Sequence, residues 1–304
     1  MDYWQHTRYM ADKTMSIIDL DLPDKARQFF VAEWGIEKLH PPQEESMKPI
    51  FSNSNALIAI PTASGKSLIA YIAILRKLLL DDVGSKAVYI VPLKALASEK
   101  YEELSQLGKA LDLTIGLGIG DSTSEAKKID ECDILVCTSE KLDSIIRNRS
   151  ETMSRVSIIV ADEFHLMNDS NRGPTLEINL TKLRYLKPSA QIIALSATVG
   201  NCEDLAAWLN AELIMSNWRP VALEYSTFHD LHLEPRMVQS SALSTQPSEL
   251  KPPRDLLGPK SHPTWVALSD SIDEEGQLLI FVGTRKSAES EALKLSKRVS
   301  KKLS

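Results

Sequence analysis

The stretch Pro61-Thr62-Ala63-Ser64-Gly65-Lys66-Ser67 decides the fold class of this 304-residue chain. It follows an apolar, β-branched run, Ala56–Ile60, and it opens a stretch with helical periodicity, Lys66–Leu80. A strand that passes through a Gly-Lys-Ser loop into a helix places backbone N–H groups and the positive end of the helix around one point in space, where a polyphosphate can bind. The stretch therefore predicts a nucleotide-binding loop on a sheet whose strands alternate with helices.

The residue types of this loop suit ATP and magnesium. Gly65 lets the backbone approach the phosphates without a Cβ, Lys66 would reach the β- and γ-phosphates, and Ser67 would ligate Mg²⁺. The strict pattern of a phosphate-binding loop has glycine at the position where this chain has Ile60. The alternative interpretation of the stretch is a Gly/Ser turn that caps a helix. The candidate ATP-binding residues of the loop are Pro61, Thr62, Ala63, Ser64, Gly65, Lys66 and Ser67.

The same alternation of strands and helices continues along the chain. Further apolar runs that read as buried strands are Lys86–Val91, Leu113–Leu117, Asp133–Cys137, Val156–Ala161 and Gln191–Leu195. Helical candidates between and after them are Leu96–Leu107, Glu140–Asn148, Pro174–Leu186 and Cys202–Leu209. This order predicts an α/β fold, a parallel sheet with helices on both faces, which binds ligands beyond the carboxyl ends of its strands.

The pattern changes near Glu224 and divides the chain into three parts. Residues 1–223 form the first predicted domain, and residues 224–263, rich in Ser and Pro toward their end, are expected to be an irregular linker. One strand and its flanking helices are too few to form a sheet that is covered on both faces. Residues 264–304 are therefore expected to be the incomplete start of a second α/β domain. The elements expected there are a helix at Thr264–Ile272, a strand at Gln277–Val282 and a helix at Lys286–Val299.

Composition and charge narrow the class of protein. The chain has 43% hydrophobic and 25% charged residues and a formal net charge of −6, which predicts a soluble protein without a global positive field. A local basic groove stays possible, because a few well-placed side chains neutralise phosphates. The three cysteines form no C-x-x-C pair, and we expect neither a signal peptide nor a membrane span. A cytoplasmic protein is therefore expected.

Two acids follow the apolar run Val156–Ala161. Asp162 would hold Mg²⁺, most simply through water, because this ion prefers oxygen ligands and keeps part of its hydration shell. Glu163 would orient and deprotonate a water that attacks the γ-phosphate. Taken alone, such a pair is often a helix N-cap, but together with Lys66 it favours a catalytic nucleotide site, with Lys66, Asp162 and Glu163 as the catalytic candidates.

A third motif, Ser196-Ala197-Thr198, follows the run Gln191–Leu195. Its hydroxyl groups could hydrogen-bond to Asp162 or to His165. Taken alone, the tripeptide is better explained as the N-cap of the following helix.

These motifs, in this order, resemble the superfamily-two helicases. The P-T-A-S-G-K form of the loop and the DExH sequence at Asp162–His165 resemble the Ski-like branch, and most closely its archaeal replication-fork DNA helicases. The resemblance is nearly continuous over Leu22–Leu223 and resumes weakly at Gln277–Val299. It implies a RecA-like fold. Other stretches that carry it are Gly35-Ile36, Pro41-Pro42-Gln43, Pro92–Leu96, Thr138–Lys141, Arg172–Glu177 and Asn217–Val221.

The resemblance also implies roles for residues outside the loop. Gln43 would hydrogen-bond the adenine edge, although composition alone favours an exposed glutamine at a helix start. His165 would couple the state of the nucleotide to the strand-gripping surface through Ser196 and Thr198. The residues expected to contact a single nucleic-acid strand are Pro92, Lys94, Thr138, Ser139, Lys141 and Arg172.

The function implied by the resemblance is ATP-dependent translocation or unwinding on nucleic acid, with DNA favoured and 3′-to-5′ polarity. The family's second motor domain carries a Q-x-x-G-R-x-G-R segment that these 304 residues lack. We therefore expect this chain alone to bind ATP–Mg²⁺ and a single strand but to hydrolyse slowly, and a second polypeptide could supply the arginines. Two alternatives stay open, an RNA helicase or remodelling factor of the same branch and a non-motor nucleotide-binding module that docks onto a partner.

Overall fold

The protein divides into two compact units, Met1–Pro220 and Val221–Ser304. The computed structural model describes residues 14–119, 129–148, 150–197, 200–239 and 250–303. The α-helices in these ranges are α1 (Asp24–Ala32), α2 (Pro41–Phe51), α3 (Lys66–Arg76), α4 (Lys94–Leu111), α5 (Ser139–Asn148), α6 (Ser150–Ser154), α7 (Gly173–Leu186), α8 (Cys202–Leu209), α9 (Pro263–Asp273) and α10 (Arg285–Leu303). The strands are β1 (Asn55–Ala59), β2 (Lys86–Val91), β3 (Ile115–Gly118), β4 (Ile134–Thr138), β5 (Val156–Ala161), β6 (Gln191–Ser196), β7 (Ala211–Met215), β8 (Leu223–His229), β9 (His232–Gln239) and β10 (Arg254–Asp255).

The first unit is built on a seven-stranded sheet with the order β3-β4-β2-β5-β6-β1-β7. All of its strand pairs are parallel, so the carboxyl ends of the strands lie at one edge. This confirms the predicted α/β class, and the six strands expected in the first unit all form, with shifts of one or two residues at some ends. The order also places β6 alone between β1 and β5.

Helices cover both faces of this sheet, and the side-chain period of two along the strands sorts the core accordingly. In β2, Ala87, Tyr89 and Val91 pack toward α1, α2, α3 and α4, whereas Val88 and Ile90 pack toward α5, α7 and α8. Strands buried on both faces read as continuous apolar runs, which explains why the sequence revealed them. No helix in the described ranges is long and apolar enough to cross a membrane.

Four of the α-helices and strands of the first unit are not predicted by sequence pattern: α1, α2, α6 and β7. Helix α2 contains Pro41, Pro42 and Pro49, residues that usually break helices. The first two lie in the first turn, where a backbone N–H has no helical partner to lose, so they start the helix instead of ending one. Strand β7 lies at the sheet edge with only Ile214 buried, and it therefore lacks a fully apolar run.

The expectation that residues 224–263 form an irregular linker is wrong for their first part. Strands β8 and β9 pair as an antiparallel hairpin, and β10 adds two residues to its edge. The turn residues Asp230 and Leu231 both have positive φ, 49° and 68°, as a two-residue hairpin turn of the favoured hand requires. The Pro and Ser content of the later residues obscured this hairpin, whose turn also lacks the usual glycine.

The strand expected at Gln277–Val282 is also absent, since this segment has no regular secondary structure. A strand needs a neighbour to accept its backbone hydrogen bonds, and no described strand lies beside this one. Its Leu279 and Phe281 side chains are 77% and 87% exposed. The helices expected on either side do form, as α9 and α10. The assignment of residues 264–304 to a second motor domain stays a prediction.

A tight contact at the end of α4 yields a stability prediction. A Cβ added to Gly108 would lie 2.6 Å from the carbonyl oxygen of Leu113 and 3.1 Å from the Ile115 side chain. Alanine would gain about 1 kcal/mol of helix propensity, but overpacking against backbone costs about 1–3 kcal/mol. Because the clash involves backbone, we expect Gly108→Ala to lower the midpoint of urea unfolding. Gly283→Ala, where a Cβ meets no atom within 4 Å, is the control. An unchanged or raised midpoint for Gly108→Ala would contradict the packing seen at this turn.

Candidate functional site

The predicted site residues gather at the carboxyl edge of the sheet. The loop Pro61–Ser67 follows β1, the acids Asp162 and Glu163 follow β5, and Ser196 ends β6 between them. A backbone hydrogen bond links the first and third of these segments, in which the N–H of Ile60 donates to the carbonyl of Ser196 at 3.3 Å. Three segments far apart in sequence are thus brought to one edge by the strand order.

The nucleotide-binding loop is shaped by two left-handed residues, Ala63 at φ 63° and Gly65 at φ 76°. The side chain of Ser64 is fully buried and its hydroxyl donates to the carbonyl of Pro61, which closes the turn. Thr62 and Ala63 are exposed at the tip. Helix α3 begins directly at Lys66, so its first N–H groups face the space enclosed by the loop.

Lys66 lies over its own loop. Its Nζ donates to the carbonyls of Ile60 and Pro61 at 3.0 and 3.1 Å, and the side chain is 9% exposed. Burial lowers the pKa of its ammonium group, while the carboxylates of Glu163 and Asp162 act to raise it and Arg219 acts to lower it further. A polyphosphate would supply the negative charge that this partly desolvated cation lacks.

Gln43 packs directly against the loop from α2. Its Nε2 donates to the carbonyls of Ser64 and Gly65 at 3.3 and 3.0 Å, and its Oε1 accepts from the N–H of His40 at 2.7 Å. A Cβ at position 65 would lie 2.3 Å from this Nε2, so the close approach requires glycine. The glutamine is 3% exposed, which differs from the exposed helix-start residue that composition favours.

The imidazole of His40 stacks on the buried indole of Trp218, with ring centroids 4.3 Å apart. Burial lowers the pKa of His40, which favours the neutral ring. This contact brings the segment after β7, including Arg219, next to the start of α2. Arg219 is a cation near Lys66 that the sequence motifs do not assign to the nucleotide site.

Asp162 is held through both of its carboxylate oxygens. Oδ1 accepts from the N–H of Glu163 at 2.8 Å, and Oδ2 accepts from the hydroxyl of Tyr89 at 2.9 Å. Glu163 itself has a left-handed backbone, φ 50°, as it turns the chain from β5 into a short 3₁₀ helix at Phe164–Asn168. Both acids are partly exposed and so remain accessible to a ligand.

His165 contacts both the candidate base Glu163 and the third motif. Its Nδ1 lies 3.4 Å from the Glu163 carboxylate and 3.4 Å from the N–H of Ala197. The two contacts exclude each other, because Nδ1 accepts from Ala197 only without a proton and donates to Glu163 only with one. The hydroxyl of Ser196 donates to the carbonyl of Ala197 instead of contacting His165. Thr198 lies outside the described residues.

Some of the predicted nucleic-acid contacts share a narrow cleft with the two candidate catalytic acids. Pro92, Ser139 and Arg172 line this cleft together with Asp162 and Glu163. These three candidates for nucleic-acid contact and the two acids therefore share one surface.

The other nucleic-acid candidates differ in accessibility. Lys94 is exposed at the first residue of α4, and Lys141 is partly exposed on α5. The hydroxyl of Thr138 is buried and accepts from the N–H of Lys141 at 3.4 Å. Thr138 therefore supports the start of α5 and leaves outward contacts to its neighbours.

Sequence reasoning missed two buried tyrosines beside the magnesium candidates, Tyr71 and Tyr89. Both phenol oxygens lie next to the hydroxyl of Ser67, and burial raises the pKa of both phenols far above the usual value. A signal existed for Tyr89, because a phenol within the buried run Lys86–Val91 must find a hydrogen-bond partner.

Comparison with known proteins identifies a family that shares the sequence of this site. The sequence pattern of the DEAD/DEAH box helicases matches residues 40–205, a range that contains Gln43, the nucleotide-binding loop, the acid pair and the third motif.

Curated relatives agree with this match. The chain is 42% identical to "ATP-dependent DNA helicase Hel308" of Methanocella arvoryzae, over 95% of this chain and 37% of the relative. It is 40% identical to the proteins of the same name from Thermococcus kodakarensis, over 95% of this chain and 24% of the relative, and from Pyrococcus abyssi, over 94% and 36%. The chain thus spans between about a quarter and somewhat more than a third of these relatives.

A solved structure shares the fold. The chain resembles the protein in "Crystal Structure of DUF1998 helicase MrfA bound to DNA" with a TM-score of 0.60 and 22% identity, over 67% of this chain and 31% of the other. This likeness supports the RecA-like fold alone. On the family match, the chain belongs to the DEAD/DEAH box helicases.

Proposed function

We propose that this chain binds ATP with Mg²⁺ at the carboxyl edge of its sheet and forms part of an ATP-driven DNA helicase. One observation carries the proposal. The Gly-Lys-Ser loop after β1 and the Asp-Glu pair after β5 end on strands separated only by β6. A cation, a magnesium-type carboxylate and a candidate base therefore lie at one edge of the sheet, beyond the carboxyl ends of its strands, where ligands of such sheets bind.

The residues present fit a magnesium ion. Ser67 and Asp162 offer a hydroxyl and a carboxylate, the oxygen ligands that Mg²⁺ prefers, and both are partly exposed. No group of three or more His, Cys, Asp or Glu side chains within the described ranges could hold a metal by itself. This agrees with an ion that completes its shell with waters and nucleotide phosphates. When bound, Mg²⁺ would neutralise charge on the phosphates.

Hydrolysis would use the chain's own groups as follows. Glu163 accepts a proton from a water, whose oxygen forms a bond to the γ-phosphorus as the bond from that phosphorus to the bridging β–γ oxygen breaks. ADP leaves with the electron pair of the broken bond. Lys66 moves from the carbonyls of Ile60 and Pro61 to the phosphates and stabilises the charge there.

Gln43 would read the base. Its Nε2 donates to the loop, whereas Oε1 accepts one hydrogen bond from the described residues, from His40, and would keep a lone pair for the adenine amino group. In this arrangement the glutamine contacts both the base and the phosphate loop, so it would couple adenine recognition to the shape of the loop.

The whole protein would move along DNA. The relatives are named "ATP-dependent DNA helicase", which favours DNA, and the resemblance to the fork helicases favours 3′-to-5′ movement. A strand would lie over Pro92, Lys94, Ser139, Lys141 and Arg172, while His165 would report the state of the nucleotide through the N–H of Ala197.

Removing the loop cation tests nucleotide binding. We expect Lys66→Ala to weaken binding of a fluorescent ATP analogue about 10- to 100-fold, the range for a charged hydrogen bond. Titration of the 304-residue chain in Mg²⁺ buffer measures this. Lys48→Ala, an exposed lysine on α2, is the control and should bind as the wild type does. Equal affinity for Lys66→Ala and wild type would exclude a phosphate role for this lysine.

Neutralising the candidate base separates binding from chemistry. Glu163→Gln keeps the shape of the side chain but cannot take a proton, so single-turnover hydrolysis should fall by about 10²–10⁴-fold. Its affinity for the ATP analogue should stay within about threefold of wild type, since within the described residues Glu163 acts on Lys66 through its charge and forms no hydrogen bond or ion pair with the loop. If neither this variant nor Lys66→Ala changes any measured quantity, the non-motor binding module is the better description.

A charge removal at the start of α4 tests the strand contact. Lys94→Ala should weaken binding of fluorescent oligo-dT and should lower the slope of log affinity against log salt by about 0.7, the value for one phosphate contact on a single strand. Lys109→Ala, near the other end of the same helix and also exposed, should change neither. A parallel titration with oligo-U separates the substrates, and tighter binding of RNA would contradict the DNA assignment.

A further inference from the structure

The candidate magnesium ligand Asp162 is oriented by two donors of different kinds. The N–H of Glu163 belongs to the backbone of the same loop and donates to Oδ1 at 2.8 Å. The hydroxyl of Tyr89 comes from the neighbouring strand and donates to Oδ2 at 2.9 Å. With one donor on each oxygen, the plane of the carboxylate is set, and each oxygen keeps a lone pair for a further partner.

The strand register explains why Tyr89 can make this contact. Tyr89 pairs with Val160 across β2 and β5, and the N–H of Asp162 donates to the carbonyl of Ile90 at 2.9 Å. Because side chains alternate along a strand, Tyr89, Val160 and Asp162 lie on the same face of the sheet. The long phenol of Tyr89 reaches from that face to the end of the neighbouring strand.

The second buried phenol is directed elsewhere. The hydroxyl of Tyr71 donates to the carboxylate of Glu103 on α4, and Lys100 donates to the same carboxylate at 3.0 Å. The two tyrosine rings lie 6.2 Å apart between centroids, and both are almost fully buried. Both phenols lie next to Ser67, but they donate to different carboxylates, Tyr71 to Glu103 and Tyr89 to Asp162.

We propose that Tyr89 is a positioning residue of the magnesium site, which holds the carboxylate of Asp162 in the orientation that receives the hydrated ion. The inference rests on the proposed nucleotide site. Carboxylates that ligate metals are commonly hydrogen-bonded in turn, and loss of such a partner weakens metal affinity about 10- to 100-fold. Without the phenol hydroxyl, Asp162 would keep a single donor and could rotate about its side-chain bonds.

The test is the dependence of nucleotide binding on Mg²⁺. A fluorescent, non-hydrolysable ATP analogue is titrated onto the 304-residue chain in excess EDTA and then with increasing Mg²⁺. For Tyr89→Phe we expect the Mg²⁺ concentration at half-maximal enhancement to rise about 10-fold. Binding in EDTA should stay within twofold of wild type, since the hydrogen bond that Tyr89→Phe removes goes to Asp162 and not to Lys66 or a backbone group of the loop.

Tyr71→Phe is the matched comparison, because it also removes one buried phenol hydroxyl beside Ser67 but leaves both donors to Asp162 in place. Its Mg²⁺ midpoint should stay within twofold of wild type. An unchanged midpoint for Tyr89→Phe overturns the inference, and so does an equal rise in both variants or a loss of binding in EDTA, each of which indicates a packing role. A wild-type chain whose binding ignores Mg²⁺ would overturn the proposed function as well, so the two failures are distinguishable.

Discussion

The strand order β1-β6-β5 is the constraint on which the site depends. Neighbouring strands lie about 4.8 Å apart, so the ends of β1 and β5 lie about 10 Å apart across β6. That spacing leaves room for phosphates and a hydrated ion between Lys66 on one side and Asp162 and Glu163 on the other. The parallel direction of all three strands puts their carboxyl ends, and hence all three loops, at the same edge. An order with more strands between β1 and β5 would separate the charges that influence one another here.

Much of this arrangement could be predicted from local sequence. The loop Pro61–Ser67 can be identified from its own residues, because its glycine, lysine and serine suit close backbone approach, a cation and a magnesium ligand at a bound phosphate. The strands of the first unit are buried on both faces and therefore appear as apolar runs. The strand Val156–Ala161 ends directly at Asp162, so one pattern located both the scaffold and the acid.

Other features depend on contacts between distant residues, which local patterns do not contain. Tyr89 and Asp162 meet only because β2 pairs with β5 in one register, and Gln43 meets the loop only because α2 packs beside β1. The hairpin of β8 and β9 was hidden by neighbouring Pro and Ser residues. At Gln277–Val282 the sequence predicts a strand that the structure lacks, because an apolar run forms a strand only where another strand can pair with it.

The contact between Gln43 and Gly65 has a consequence for how this site can change. The amide nitrogen of Gln43 occupies the space that a Cβ at position 65 would need, so the residue proposed to contact the base and the glycine of the loop compete for the same space. A substitution at either position alters the room available to the other, and their effects will not add. Altering the base preference of this enzyme therefore requires the two positions to be varied together in one library, because separate scans of each would miss the compatible pairs.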